Sequence, residues 1–129
     1  MCQQKILIVE DSPTTRRQIA EILRNEGYEI LTAEDGEAGL ELINEHHPEL
    51  VVLDIVLPKK NGYQVCRTVK SNPDLAIKVM MVTAKDQVKD RIWGQRQGAD
   101  FYLSKPINEE ELIEAVRNLV PPSPSSSNA

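Results

Sequence analysis

Lys5-Ile6-Leu7-Ile8-Val9-Glu10-Asp11-Ser12-Pro13 reads as a junction between two kinds of secondary structure. The unbroken apolar run suits a buried strand, predicted over Lys5–Glu10. Ser12 can cap a helix, and Pro13 falls at the first helical position, where a missing N–H is harmless. Ile19, Ile22 and Leu23 then make one apolar stripe, which predicts a helix over Pro13–Glu26. Gly27 follows it, where a left-handed residue is wanted.

Working outward, the same junction recurs along the chain. Further strands are predicted over Tyr28–Ala33, Leu50–Asp54, Lys78–Thr83 and Phe101–Ser104, all rich in Val, Ile and Leu. Helices are predicted over Gly36–Glu45, Gly62–Ser71, Asp86–Gln97 and Asn108–Leu119. The last is the clearest: Leu112, Val116 and Leu119 share a face with Ile113 and Val120 beside it, Asn108 can cap, and Glu111 stands where a capping box places its acid. Gly98 follows the fourth helical pattern as Gly27 follows the first. Strict βα alternation implies an α/β fold, a five-stranded parallel sheet with helices on both faces. Right-handed crossovers then favour a flavodoxin-like (βα)5 arrangement with strand order 2-1-3-4-5.

The totals agree with one folded domain. At 129 residues, 40% hydrophobic and 27% charged, the chain can bury a real core. A net charge of −5 with the signs mixed argues against a basic nucleic-acid-binding surface. The longest apolar run, Leu50–Leu57, is broken by Asp54 and is far too short for a membrane span. The N-terminus lacks the apolar core and cleavage site of a signal peptide. Cys2 and Cys66 have no metal spacing and no evident disulfide partner; Cys66 reads as a small apolar helix residue, which points to a reducing, cytoplasmic compartment. Residues 121–129, Pro-Pro-Ser-Pro-Ser-Ser-Ser-Asn-Ala, hold almost nothing to bury and are expected to be disordered.

A parallel sheet delivers the ends of its strands to one edge, where sites form. Here the first strand ends in Glu10-Asp11, the third in Asp54, the fourth in Thr83, and the fifth runs into Lys105-Pro106. Three carboxylates, a hydroxyl and an amine are thus predicted on one rim. Two like charges about 4 Å apart repel by roughly 4 kcal/mol at an effective dielectric near 20, so the cluster needs compensation. Lys105 supplies one charge, and a hard divalent ion such as Mg²⁺ suits the remaining oxygens. A deprotonated Asp54 could then attack phosphorus as a carboxylate nucleophile, with Lys105 and the metal offsetting charge on the transferred group and Thr83 donating a hydrogen bond to it.

These motifs, Ile-Leu-Ile-Val-Glu10-Asp11-Ser12, Leu53-Asp54-Ile55-Val56-Leu57-Pro58 with Gly62, Val82-Thr83-Ala84, and Gly98-Ala99-Asp100-Phe101-Tyr102-Leu103-Ser104-Lys105-Pro106, resemble those of the response-regulator receiver domains of the CheY type. The resemblance covers about Lys5 to Val120 and makes residues 1–120 a receiver domain of the single-domain kind. It implies that Asp54 accepts a phosphoryl group from a sensor histidine kinase or phosphotransfer protein. It implies Mg²⁺ ligands in Glu10, Asp11, Asp54 and the backbone carbonyl of Val56, with Asp11 binding more directly than Glu10. Thr83 and Tyr102 match the family's switch pair, so phosphorylation is expected to draw Thr83 toward the phosphoryl group and turn Tyr102 inward. The Lys105-Pro106 bond is usually cis in similar domains. Two departures stand out: Leu57 where Met is common, and an apolar Val56 that cannot orient a hydrolytic water, as a residue there does in some relatives together with the position of Lys85.

By the same resemblance the kinase packs on the first helix and the loop after the fifth strand, at Ser12, Pro13, Thr14, Arg16, Arg17 and Pro106. Trp93 and Tyr102 are candidates for a downstream effector protein. The run Trp93–Gly98 is vaguely similar to single-domain regulators of twitching motility and phototaxis. No direct nucleic-acid or membrane contact is expected, and the chain is expected to be a switch rather than an enzyme, catalysing only its own phosphorylation and dephosphorylation. A phosphatase would want a second Asp where Val56 stands, and an FMN carrier would want a phosphate loop where Glu10-Asp11 stands. The alternative is a receiver excised from a longer DNA-binding response regulator, with the Pro/Ser tail as the start of a linker.

Overall fold

Ile6, Leu7, Ile8 and Val9 have no exposed surface at all. A strand buried on both faces must be covered on both, and the rest of the fold does so. The computed structural model describes residues 4–55, 57, 59, 61–72, 76–83, 98–105 and 107–120, with the side chain of Thr83 left aside. The elements are β1 (Lys5–Val9), α1 (Pro13–Asn25), β2 (Glu29–Ala33), α2 (Gly36–His46), β3 (Leu50–Asp54), α3 (Gly62–Ser71), β4 (Lys78–Thr83), β5 (Phe101–Ser104) and α4 (Glu109–Leu119). All strand pairs are parallel, in the order β2-β1-β3-β4-β5, as the alternating pattern predicts.

Strand side chains alternate between two cores. Ile6, Ile8, Leu50, Val52, Met80, Val82 and Leu103 meet Ile19, Ile22 and Leu23 of α1 and Leu112, Ala115 and Val116 of α4. Leu7, Val9, Val51, Leu53, Val79 and Met81 meet Ile43 of α2 and Val65, Cys66 and Val69 of α3. Helices therefore cover both faces. Each fully buried aliphatic side chain contributes about 1.5–3 kcal/mol by leaving water, which is the main force holding the layers together.

Local capping sets the helix starts. Ser12 Oγ accepts from Thr15 N–H at 3.4 Å, Asp35 Oδ1 from Ala38 N–H at 2.8 Å, and Asn108 Oδ1 from Glu111 N–H at 2.9 Å. At α3, Asn61 and Gln64 bond reciprocally at 3.0 Å each way, a full capping box. Gly27 (φ 95°) and Gly98 (φ 92°) take the left-handed conformation expected of them. The boundaries shift by one residue at several ends: β1 closes at Val9, β2 opens at Glu29, α1 closes at Asn25, and α4 opens after its cap Asn108. α2 runs to His46, and His47 makes its left-handed cap at φ 48° without a glycine.

The helix predicted over 86–97, the Cys2 terminus, the Lys105-Pro106 bond and the 121–129 tail lie outside the described residues. Among the described residues no helix is long and apolar enough to cross a membrane.

Candidate functional site

Register brings the acidic residues together. Val9 of β1 pairs with Leu53 of β3, so the residues next in line, Glu10-Asp11 just past β1 and Asp54 at the end of β3, emerge side by side. Carboxylate oxygens of Glu10, Asp11 and Asp54 lie within 4.8 Å of one another. Glu10 is 2% exposed and Asp54 7%, whereas Asp11 faces solvent. Two carboxylates thus form the wall of the site and the third forms its mouth.

Lys105, which follows β5 on the far side of β4, reaches back across the edge. Its Nζ donates to Glu10 Oε1 at 2.7 Å and to Asp54 Oδ2 at 3.0 Å. The lysine predicted near Asp54 therefore holds both wall carboxylates. Burial works against its ammonium, but the hydrogen bonds and charges of Glu10 and Asp54 outweigh it and raise its pKa above the ordinary lysine value. The Glu10 carboxyl is also raised: its burial dominates, Asp54 adds to the rise, and hydrogen bonds from Lys105 and Ser12 oppose it. One ammonium, bonded to two of the three carboxylates, leaves the corner net negative. Its donors are all oxygens, the set a hard divalent cation takes, so the residues fit Mg²⁺.

The backbone around the site is pinned. Glu10 N–H donates to Ala33 O at 3.1 Å, Ser12 N–H donates to Glu10 Oε2 at 3.1 Å, and Arg16 Nη1 donates to Glu10 O at 2.9 Å. Behind Asp54, Gly62 N–H donates to Ile55 O at 2.8 Å. A Cβ on Gly62 would stand 2.2 Å from the Asp54 carbonyl oxygen, so only glycine lets α3 begin this close to the loop.

Of the residues singled out in the sequence, Glu10, Asp11, Asp54 and Lys105 meet at one point. Thr83 closes β4 beside Ser104 of β5, but its side chain is outside the described residues. So are Val56, Trp93 and Pro106. Tyr102 is half-buried and packs against the core of the α2/α3 face. Pro13, Thr14 and Arg17 are exposed on α1, while Arg16 is turned inward. That inward turn has no sequence signal, because an arginine beside Arg17 on a polar helix face looks solvated. Asp100 carries no sequence signal beyond its place in the Gly98–Pro106 motif, yet its Oδ2 accepts from Lys70 Nζ at 2.6 Å and from Val79 N–H at 2.9 Å.

Comparison with known proteins gives a consistent result. The model of the response regulator receiver domain family matches residues 6–117. Protein PilH of Pseudomonas aeruginosa is 42% identical over 113 residues, covering 87% of this chain and 93% of PilH. The "Probable transcriptional regulator ycf27" of Cyanophora paradoxa is 42% identical over 118 residues, which is 92% of this chain but 48% of that protein. This chain thus spans about half the length of that relative. The crystal structure of a CheY-like response regulator receiver domain protein from Methanospirillum hungatei superposes with a TM-score of 0.83 at 30% identity, covering 91% of this chain and 93% of that one.

Proposed function

This chain belongs to the response regulator receiver domain family, and from that premise we propose that Asp54 is its phosphoacceptor in two-component signalling. The observation that carries the reading is the grip of Lys105 on Asp54 and Glu10 within the three-carboxylate corner. An Asp54 oxygen attacks the phosphorus of a phosphohistidine on a sensor kinase or phosphotransfer protein. The new O–P bond forms as the N–P bond breaks, and the imidazole leaves with the electron pair. The Lys105 ammonium, 3.0 Å from Asp54 Oδ2, stays close enough to offset charge gained at the site. Glu10, Asp11, Asp54 and the Val56 carbonyl would hold Mg²⁺. Bound there, the ion would neutralise phosphoryl oxygens during transfer.

The output is a population shift. Phosphorylation favours the arrangement in which Thr83 approaches the phosphoryl group and Tyr102 turns inward. The kinase docks on Pro13, Thr14, Arg17 and the Pro106 loop, and an effector reads Trp93 and Tyr102. We take residues 1–120 as the receiver, 121–129 as a tail, the compartment as cytoplasmic, and the chain as a switch that catalyses only its own phosphorylation and dephosphorylation. A stand-alone switch is supported by the near-complete coverage of PilH. The second reading, a receiver cut from a longer DNA-binding regulator, is favoured by the half-length match to ycf27; the full reading frame decides between them.

The test is incubation with acetyl phosphate, with and without Mg²⁺, followed by intact-mass measurement. Wild type should gain one phosphoryl group only with Mg²⁺, and Asp54→Ala should gain none. An adduct that persists in Asp54→Ala would place the acceptor elsewhere.

A further inference from the structure

Arg16 lies on α1, away from the strand ends, yet it touches the acidic corner through the main chain. Its Nη1 donates to the Glu10 carbonyl at 2.9 Å, and its Nη2 stands 3.5 Å from Glu34 Oε1 in the loop after β2. Its side chain is 18% exposed, against 77% for Glu34. Because Arg16 N–H also donates to Ser12 O at 2.9 Å, the arginine closes a ring around the turn Glu10-Asp11-Ser12. The carboxylates of Glu10 and Asp11 are adjacent in sequence and repel each other and Asp54. A free turn would relieve that repulsion by rotating Asp11 outward, since Asp11 alone of the three is exposed.

We propose that Arg16 is a positioning residue for the divalent cation, its bond to the Glu10 carbonyl locking the turn that holds Glu10 and Asp11 together. The inference rests on the reading of the corner as a Mg²⁺ site. It assigns Arg16 a role inside the domain rather than at the kinase interface. Residues that orient metal ligands without touching the metal typically change affinity 10–100-fold. The sign of the effect separates positioning from charge. Were Arg16 merely a nearby positive charge, removing it would tighten cation binding; as a positioning residue, its removal weakens binding.

The experiment is a Mg²⁺ titration of the unphosphorylated full chain, read as the rise in its thermal unfolding temperature, for wild type, Arg16→Met, Arg16→Lys and Glu34→Gln. In Arg16→Met the Mg²⁺ concentration for half-maximal stabilisation should rise about tenfold. Arg16→Lys, which keeps one donor for the carbonyl, should fall between Arg16→Met and wild type, and it carries the test if Arg16→Met does not fold. Glu34→Gln should match wild type. A lower unfolding temperature without Mg²⁺ but an unmoved midpoint, or a midpoint shifted toward tighter binding, would overturn the proposal. A wild-type chain that does not respond to Mg²⁺ overturns the metal-site reading and this inference with it.

Discussion

Asp54 owes its position to a neighbour that has no side chain. With a Cβ 2.2 Å from the Asp54 carbonyl oxygen and 2.8 Å from Ile55 Cα, Gly62→Ala forces main chain against main chain, and neither flank can yield as a flexible side chain would. Overpacking of this kind costs about 1–3 kcal/mol. The urea midpoint of Gly62→Ala should fall accordingly, and phosphorylation of Asp54 should slow even at a denaturant-free pH 7; an unchanged midpoint would mean that α3 moves off the loop freely. Cys66 offers a second test at this scale. Its side chain is fully buried, and burial pushes its thiol up to about 11 from 9.0, with Lys70 lowering it and Asp100 raising it by smaller amounts. Between those values the unfolded chain gives up a proton that the folded chain keeps, so stability is full below pH 9 and declines as pH rises toward 11. The loss amounts to about 2–3 kcal/mol at roughly 1.4 kcal/mol per unit. Cys66→Ala should flatten that decline in urea unfolding measured at both ends of the window. A slope equal to wild type would assign the alkaline loss to other groups.

At the scale of elements, two side-chain ties connect parts that the sheet alone leaves loose. Lys70 of α3 donates to Asp100 Oδ2 at 2.6 Å and to Ile77 O at 3.0 Å. Asp100 in turn bonds both polar groups of Val79, accepting its N–H at 2.9 Å and donating to its carbonyl at 2.8 Å. The start of β5 is thereby registered against β4 before the first ladder pair, Met80 with Phe101. β5 is an edge strand of only four residues, so it has few bonds of its own to hold register. Asp100→Ala removes the acceptor shared by two donors, and an expected loss of about 1–3 kcal/mol follows from leaving the buried Val79 N–H unsatisfied. Amide hydrogen exchange of Leu103 and Ser104 should quicken more than that of β1 in this variant; equal changes in both strands would show general loosening instead. The second tie is Tyr28, buried between α1 and β2, whose hydroxyl donates to the Val120 carbonyl at 2.9 Å just past α4. Tyr28→Phe should cost about 1 kcal/mol and fray the last turn of α4 first.

For the whole molecule the governing term is charge. Of the described buried residues, the two that carry a formal charge are Glu10 and Asp54, both on the same edge and both held by one lysine. A fold that buries acids this way is stabilised by whatever cation it binds, by RT ln(1 + [L]/Kd), or about 2.7 kcal/mol at a hundred times Kd. Adding Mg²⁺ should raise the unfolding temperature of wild type, and chelation should reverse it. Asp11→Ala should lose most of that rise while keeping a metal-free unfolding temperature close to wild type, because Asp11 is the exposed member of the cluster. A full Mg²⁺ response in Asp11→Ala would remove that residue from the ligand set.

The parallel α/β architecture, its strand order and the meeting of Glu10, Asp11, Asp54 and Lys105 follow from the order of apolar runs and from what stands at their ends. Alternating βα units leave a parallel sheet few ways to cross over, and every strand end reaches the same edge. Sequence alone could not decide contacts that depend on where a side chain turns. Arg16 folds inward beside an exposed Arg17, His47 caps α2 in a conformation glycine usually takes, and Lys70 finds Asp100 thirty positions away. Periodicity records which face of an element is apolar. The partner of a polar group on the other face is chosen only when packing has set the distances between elements.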